Sequence, residues 1–136
     1  MWIFTRYGFF SIACATGADG ALDANTVMLR SRSREHLLSL KARFPETELG
    51  KAVILSSDHT DYRYRIVLPK TIWVAALAEL ATEQTWSNFK NEAAKMEKLK
   101  GWSHRYVTAL HRVWDIMFDL QEYTERADCH LIPTKD

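Results

Sequence analysis

The feature that most constrains the fold is a change of hydrophobic periodicity near residue 70. Before it, apolar and polar residues alternate in short runs, as in TVMLRSR at 26–32 and YRYRIVL at 62–68. After it, apolar residues recur every three or four positions, as they do along one face of a helix. The chain is therefore predicted to be mainly sheet, with one helix, over residues 1–70 and helical over residues 71–124.

Four strands are predicted in the sheet half. They cover Trp2–Ala15 (bent at Gly8), Thr26–Arg32, Lys51–Ser56 and Tyr62–Leu68. A helix capped by Ser33 and ending before Pro45 separates the second strand from the third. With the first strand beside the second, this order predicts an α+β fold: a four-stranded antiparallel-type sheet of permuted ferredoxin-like topology with a C-terminal helical layer.

The helical half is predicted to contain three helices, the last two capped by Ser87 and Ser103. The last helix ends near Tyr123 and has the most regular apolar pattern of the chain. Its apolar positions are Tyr106, Leu110, Val113, Met117 and Leu120. Their 4-3-4-3 spacing is typical of a helix–helix packing stripe. Residues 125–136 are predicted to be a tail, and the whole chain, 1–136, one domain.

The two alternating strands are predicted to place a set of arginines on one sheet face. The set is Arg30, Arg32, Arg63 and Arg65. Because side chains alternate along a strand, Tyr62 and Tyr64 are predicted to turn to the opposite, buried face. An arginine-bearing face is suited to a protein partner, a small anion or single-stranded nucleic acid. The alternative is a solvated face, or one whose arginines pair with acidic residues of the last helix.

Net charge and sequence signals bear on location and partners. The formal net charge is +1, so the chain as a whole has no field that would draw it to nucleic acid or to a membrane. The sequence shows no secretory signal and no apolar run of the roughly 18 residues that a membrane helix needs. Its two cysteines, far apart in sequence, are interpreted as reduced thiols. A cytoplasmic protein with no membrane partner is expected.

Established motifs of catalysis and cofactor binding are absent from the sequence. It has no P-loop, GxGxxG, GxSxG, HExxH or CxxC. We therefore expect no catalytic residue, no cofactor and no bound metal. An unmarked metal-dependent enzyme is the alternative, with His104, His111 and Asp115 of the last helix as ligands.

Five segments spread over nearly the whole chain form a recognisable series. They are MWIFTRYGFFS, MLRSRSREHLLSLKARFP, YRYRIVLPKTIW, WSNFKNE and ALHRVWDIMFDLQ. In this order and spacing they resemble a family of short bacterial proteins of unknown function. The loop at 16–25 is the least similar part, and Ser87 stands where the family has Asp. The resemblance implies a fold but no activity, cofactor or substrate.

The resemblance also directs attention to Asn88 and Lys90, which flank Phe89. At a helix start, where anions are favoured, these two side chains could hydrogen-bond a partner. The alternative is that Phe89 anchors the helix while Asn88 and Lys90 are solvated.

The predicted function is that of a small non-enzymatic binding domain, which binds a protein partner or another copy of itself. The predicted surface is the arginine-bearing sheet face, with Asn88 and Lys90 at its rim. The alternative binding function is recognition of single-stranded nucleic acid by the same face, or inhibition of a nucleic-acid-binding host complex.

Overall fold

A computed structural model describes the backbone of residues 1–129 and the side chains of residues 1–121. The chain divides into two compact units, Met1–Phe89 and Lys90–Asp136. The first is called the sheet unit and the second the helical unit. The single domain over 1–136 stays a prediction. The predicted tail, 125–136, falls partly outside the described residues.

The sheet unit combines one antiparallel sheet with three helices, which confirms the α+β class. Its elements are β1 (Trp2–Thr5), β2 (Gly8–Thr16), β3 (Leu22–Ser31), α1 (Arg34–Arg43), α2 (Glu48–Lys51), β4 (Leu55–Ser56), β5 (Tyr64–Pro69) and α3 (Lys70–Thr82). The strand order is β1-β2-β3-β5-β4, and every neighbouring pair is antiparallel. The sheet thus has five strands, and not the four predicted.

The fifth strand arises because the first predicted strand is a hairpin. The chain reverses at Arg6 and Tyr7, so that β1 pairs with β2. The hydroxyl of Thr5 accepts a hydrogen bond from the Tyr7 amide and donates one to the Gly8 carbonyl, both at 3.1 Å. Gly8 has a φ of 136°, and a Cβ there would come within 2.3 Å of the His36 ring. The predicted bend at Gly8 is therefore a full turn, which only glycine accommodates.

The predicted strand over Lys51–Ser56 is wrong over most of its length. Residues 48–51 form the short helix α2, and only Leu55 and Ser56 pair with β5. The Thr47 hydroxyl accepts a hydrogen bond from the Gly50 amide at 3.3 Å, which caps α2. Leu49 is completely buried. Helix α2 takes only Lys51 from the predicted strand, and residues 52–54 form neither helix nor strand, so pairing is confined to the end of the apolar run.

One face of the sheet forms the core. Leu29 of β3 lies opposite Ile12 of β2 and Ile66 of β5, and Leu29 and Ile66 are fully buried. Helices α1 and α3 both pack on the sheet. They contribute Leu37, Leu40, Trp73, Ala76 and Leu80 to the core. Helix α1 begins directly after Ser33 and ends within one residue of the predicted position, but the Ser33 hydroxyl makes no capping hydrogen bond and donates to Glu35 instead.

The helical unit contains helices α4 (Phe89–Lys100, the first residue of which belongs to the sheet unit) and α5 (Arg105–Cys129). Gly101, with a φ of 66°, ends α4. The buried Glu97 side chain then accepts a hydrogen bond from the Tyr106 amide at 3.1 Å, near the start of α5. At the other end of α4, the Lys90 ammonium lies 4.5 Å from the ring centroid of Trp114. The two helices therefore run side by side from Glu97 and Tyr106 to Lys90 and Trp114.

The lengths of α4 and α5 differ by a factor of two. At 1.5 Å per residue, the 12 residues of α4 span about 18 Å and the 25 residues of α5 about 37 Å. The part of α5 beyond Trp114 consequently extends past the beginning of α4. Helix α5 also continues beyond Tyr123, where the sequence predicted its end. No helix within residues 1–129 is long and apolar enough to cross a membrane.

Candidate functional site

The sheet face opposite the core carries Arg30 and Arg65 of the predicted set. Arg63, which precedes β5, lies instead over the Tyr64 ring, 5.7 Å from its centroid. In the pairing of β3 with β5, Arg30 lies opposite Arg65 and Met28 opposite Val67. These positions alternate with the buried Leu29 and Ile66, so their side chains share the other face. We call it the arginine face. It is partly accessible: Val67 is 43% exposed, while Arg30 and Arg65 are half-buried.

Each of the four predicted arginines contacts a group of its own sheet unit. Arg30 donates a hydrogen bond to the Ser11 hydroxyl and Arg65 donates one to the Thr60 hydroxyl, both at 2.8 Å. Arg32 donates to the Asp61 carbonyl at 3.3 Å. Arg63 forms an ion pair with Asp58 at 2.7 Å. A guanidinium has five N–H donors, so each of these contacts uses a fraction of its capacity. These local contacts position the four arginines, and each guanidinium retains further N–H donors.

Tyr62 lies among these arginines, and its predicted orientation is wrong. Its side chain is 4% exposed, and its ring centroid lies 4.9 Å from the Arg30 guanidinium and 4.8 Å from that of Arg32. Both distances are those of cation–π contacts. Strand alternation does not apply to Tyr62, because β5 begins only at Tyr64. Tyr64, opposite Ser31, does point towards the buried face.

Phe9 extends this cluster towards the N-terminal hairpin. Its ring stacks on Phe4 at 4.7 Å, meets Trp2 edge-on at 5.6 Å and lies 6.4 Å from Tyr62. Trp2 is 68% exposed at the edge strand. The sequence pattern missed Phe9 because a single long strand gave no reason to bring it beside Phe4. The arginine face therefore carries a row of aromatic rings as well as guanidinium groups.

A second charged cluster lies at the end of α3. The Glu83 carboxylate accepts hydrogen bonds from Arg43 Nε at 3.0 Å and from the Tyr7 hydroxyl at 3.2 Å, and lies 3.5 Å from Arg6 Nε. Arg6, in the turn between β1 and β2, is thus directed towards Glu83. A cavity of about 230 Å³ adjoins the cluster, with Leu77 in its apolar wall. Because Arg6 and Glu83 neutralise each other, they offer a ligand little unpaired charge.

The His36 ring packs against β2, just after the turn of the β1–β2 hairpin. Its Nδ1 accepts a hydrogen bond from the Phe9 amide at 3.3 Å, and its ring lies edge-on to Phe10. Burial lowers the pKa of His36 to about 4. The imidazole is therefore neutral at pH 7 and acts as a hydrogen-bond acceptor for the sheet.

The alternative metal ligands are not brought together as a site. His104 precedes α5 and lies 3.5 Å from Glu97, while His111 Nδ1 lies 2.8 Å from the Val107 carbonyl of its own helix. Asp115 is exposed. Within the described part of the chain, no three His, Cys, Asp or Glu side chains form a group that could hold a metal ion.

The predicted rim residues have different surroundings. Asn88 is exposed just before α4. Lys90 is half-buried, with its ammonium over the Trp114 ring. Lys90 thus belongs to the surroundings of α5.

Beyond Leu110, helix α5 exposes a series of large apolar side chains. They are Val113 (36% exposed), Trp114 (51%), Ile116 (68%), Met117 (57%), Phe118 (44%) and Leu120 (57%). We call them the α5 apolar face. Trp114 and Phe118, one turn apart, stack with their centroids 5.4 Å apart. The 4-3-4-3 stripe predicted from the sequence is therefore buried at Tyr106 and Leu110 and exposed in its last three members.

The charged residues of this part of α5 lie on the other side of the helix. At 100° per residue, the apolar side chains fall on one side and a polar group opposite. The polar group consists of His111, Arg112, Asp115 and Asp119. Helix α5 is strongly amphipathic where it extends past α4, and this exposed face is the second candidate surface.

No protein-family model, curated protein or solved structure matches the chain. The resemblance of its segments to a bacterial family remains an expectation from the sequence.

Proposed function

We propose that the chain is a small non-enzymatic binding domain that binds a protein, either a partner or its own copy, through the α5 apolar face. The carrying observation is the exposure of six large apolar side chains between Val113 and Leu120. With about half of their surface exposed, they present on the order of 600 Å² of apolar area. A contiguous apolar patch of this size is at the upper end of what monomeric proteins expose and is typical of interaction sites.

The contrast with the arginine face supports this choice of surface. The sequence favoured that face as the binding site, but its guanidinium groups have local partners and two of them enclose Tyr62. The large side chains of α5 beyond Trp114 extend past α4, the helix that packs beside α5. A protein partner gains most free energy where large apolar groups leave water together.

The non-enzymatic part of the proposal rests on the surroundings of the cavity, where Arg6 and Glu83 pair with each other. We further propose the permuted ferredoxin-like topology for the sheet unit. The order β2-β3-β5-β4, with α1 after β3 and α3 after β5, supports it, and β1 adds an edge strand. The free thiol of Cys14 is consistent with the proposed cytoplasmic location.

Site-specific photo-crosslinking in the native host tests the function. A photoreactive residue replaces Ile116, at the centre of the α5 apolar face, and in a control replaces Asp119 on the polar side. We expect a discrete protein adduct from position 116 and a much weaker one from position 119, with mass spectrometry identifying the captured protein. Absence of an adduct from position 116, or equal labelling from both positions, would contradict the proposal.

A second function, binding of single-stranded nucleic acid, is favoured by one specific observation. The ring of Tyr62 lies with Phe9 and Phe4 on the arginine face, so rings and guanidinium groups occur together there. Bases stack on such rings while phosphates bind guanidinium groups. A chain that binds nucleic acid in this way, or that occupies the corresponding channel of a host complex, would use the exposed Arg32 and Trp2.

Oligonucleotide titration separates this second function from protein binding. Single-stranded DNA or RNA should quench tryptophan fluorescence at low salt, and Arg32→Ala should weaken binding and reduce its salt dependence. Arg112→Ala, which removes a cation from α5 instead, is the matched control. If no oligonucleotide binds at low salt, nucleic-acid recognition by this face is ruled out.

A further inference from the structure

The chemistry of the α5 apolar face restricts its occupant. Numbering the 4-3-4-3 stripe as a heptad places the exposed Met117 at a and the exposed Val113 and Leu120 at d, after the buried Leu110 at a. Such a repeat is complementary to another helix with the same repeat, since each knob of one fits a hole of the other. The stripe therefore fits an α-helix rather than a strand or an extended peptide.

The positions that flank the stripe restrict the occupant further. In coiled coils, charges at e and g select the partner by attraction or repulsion. Here the flanks are uncharged: Val107, Trp114 and Gln121 at e, Ala109 and Ile116 at g. Two identical helices can approach along this face without like charges meeting at e and g, and the charge nearest to the face is the Lys90 ammonium over the Trp114 ring.

The available area is also sufficient for self-association. Without Phe118, which lies at b, each copy contributes on the order of 500 Å², and a pair would bury about 1,000 Å², the size that a specific interface should reach. A twofold arrangement would use the same patch on both copies, so that the exposed apolar residues at a, d, e and g of α5 are covered together.

We propose that the occupant of the α5 apolar face is a second copy of this chain, docked by its own α5 about a twofold axis. This inference rests on the proposed function, since it names the partner of the same surface. Lys90 supports the interface from its edge, because its ammonium covers one side of Trp114 and leaves the remainder of that ring to the partner.

Sedimentation velocity over a dilution series of the full chain tests the inference. We expect the mass to rise from 15.8 kDa towards twice that value with concentration. Met117→Glu places a charge at the centre of the interface and should weaken the dimer at least about 100-fold, because an unpaired charge would be buried. Asp119→Lys alters charge on the polar side and should leave the dimer affinity within about twofold.

Far-UV circular dichroism establishes that the variants remain folded, and Ile116→Lys provides a second disruption at a position that is 68% exposed. A wild-type chain that stays monomeric at every concentration would overturn the inference, as would a dimer insensitive to both Met117→Glu and Ile116→Lys. A monomeric chain that still gives a cross-link from position 116 to a different protein would overturn self-pairing while leaving the proposed function intact. A monomer with no adduct would contradict both.

Discussion

The sheet unit and the helical unit differ in how completely their patterned apolar side chains are buried. In the sheet unit, Phe10, Leu29 and Ile66 are fully buried, and even Tyr62 on the opposite face is covered. In the helical unit, burial along the α5 stripe ends at Leu110, although the apolar pattern continues to Leu120. The same kind of sequence pattern thus serves the fold in one region and remains available for a partner in the other.

Substituting phenylalanine in each unit sharpens this contrast. Phe10→Ala should reduce the free energy of unfolding by about 4 kcal/mol, because it removes a fully buried ring and leaves a cavity. Phe118→Ala, at a position 44% exposed, should cost less than about 1 kcal/mol in the monomer. Urea unfolding at low protein concentration measures both. Equal losses would mean that the two units do not differ in the way described.

Protonation of His36 is the second largest effect, and it concerns the sheet unit. The pKa of His36 is about 4 in the folded chain and near 6.5 when unfolded, so the unfolded state binds more protons between these values. Stability should therefore fall as pH decreases from 6.5 to 4, by about 3 kcal/mol at most. Urea unfolding across this range tests it.

His36→Asn keeps an acceptor for the Phe9 amide but cannot titrate. The difference between the wild-type and variant curves isolates the contribution of His36 from that of the carboxylates. Parallel curves would show that His36 is not held neutral by the fold.

The arginine face can be examined through Tyr62. Tyr62→Leu keeps an apolar side chain but removes the ring between the Arg30 and Arg32 guanidinium groups, and should cost about 1–2 kcal/mol. Tyr62→Phe retains the ring and should change stability by less than about 0.5 kcal/mol. Thermal or urea unfolding distinguishes them. If both variants lose the same amount, the ring does not hold these arginines.

The smallest effect concerns the start of α5. The Glu97 side chain accepts the Tyr106 amide hydrogen, so Glu97→Ala, which removes this acceptor near the helix N-terminus, should destabilise the beginning of α5 by about 1 kcal/mol. Faster hydrogen exchange of the Tyr106 amide would report it. Glu92→Gln, whose ion pair with Lys95 is 4.0 Å long, is the control and should leave that amide unchanged.

Much of the sheet unit could be predicted from local patterns. Alternation located β3 and β5, and a leucine stripe after Ser33 located α1. The hairpin of β1 and β2 was missed because its turn lacks the usual turn residues: Thr5 closes it through its hydroxyl, and Gly8 is needed for its approach to His36. The orientation of Tyr62 was also missed, because side-chain alternation applies only within a strand and Tyr62 precedes β5. The hairpin and the orientation of Tyr62 both depend on tertiary contacts, which the periodicity of a sequence does not reveal.

The candidate site shows a different limit. The spacing of Leu110, Val113, Met117 and Leu120 correctly indicated an apolar helix face. The spacing carried no information on where α4 begins, and the exposed part of the stripe lies where α5 extends past the beginning of the shorter α4. The surface most suited to binding was therefore visible as a pattern, but the sequence favoured the arginines because their alternation was the more unusual feature.

Hydrogen exchange of the α5 segment 113–121 at several protein concentrations tests the central claim most directly. The claim is that a second copy covers the α5 apolar face. It predicts that exchange of this segment slows as concentration rises, while exchange of α1, in the sheet unit, stays constant. Exchange of 113–121 that is independent of concentration in the wild-type chain, and equal to that of Met117→Glu, would contradict it.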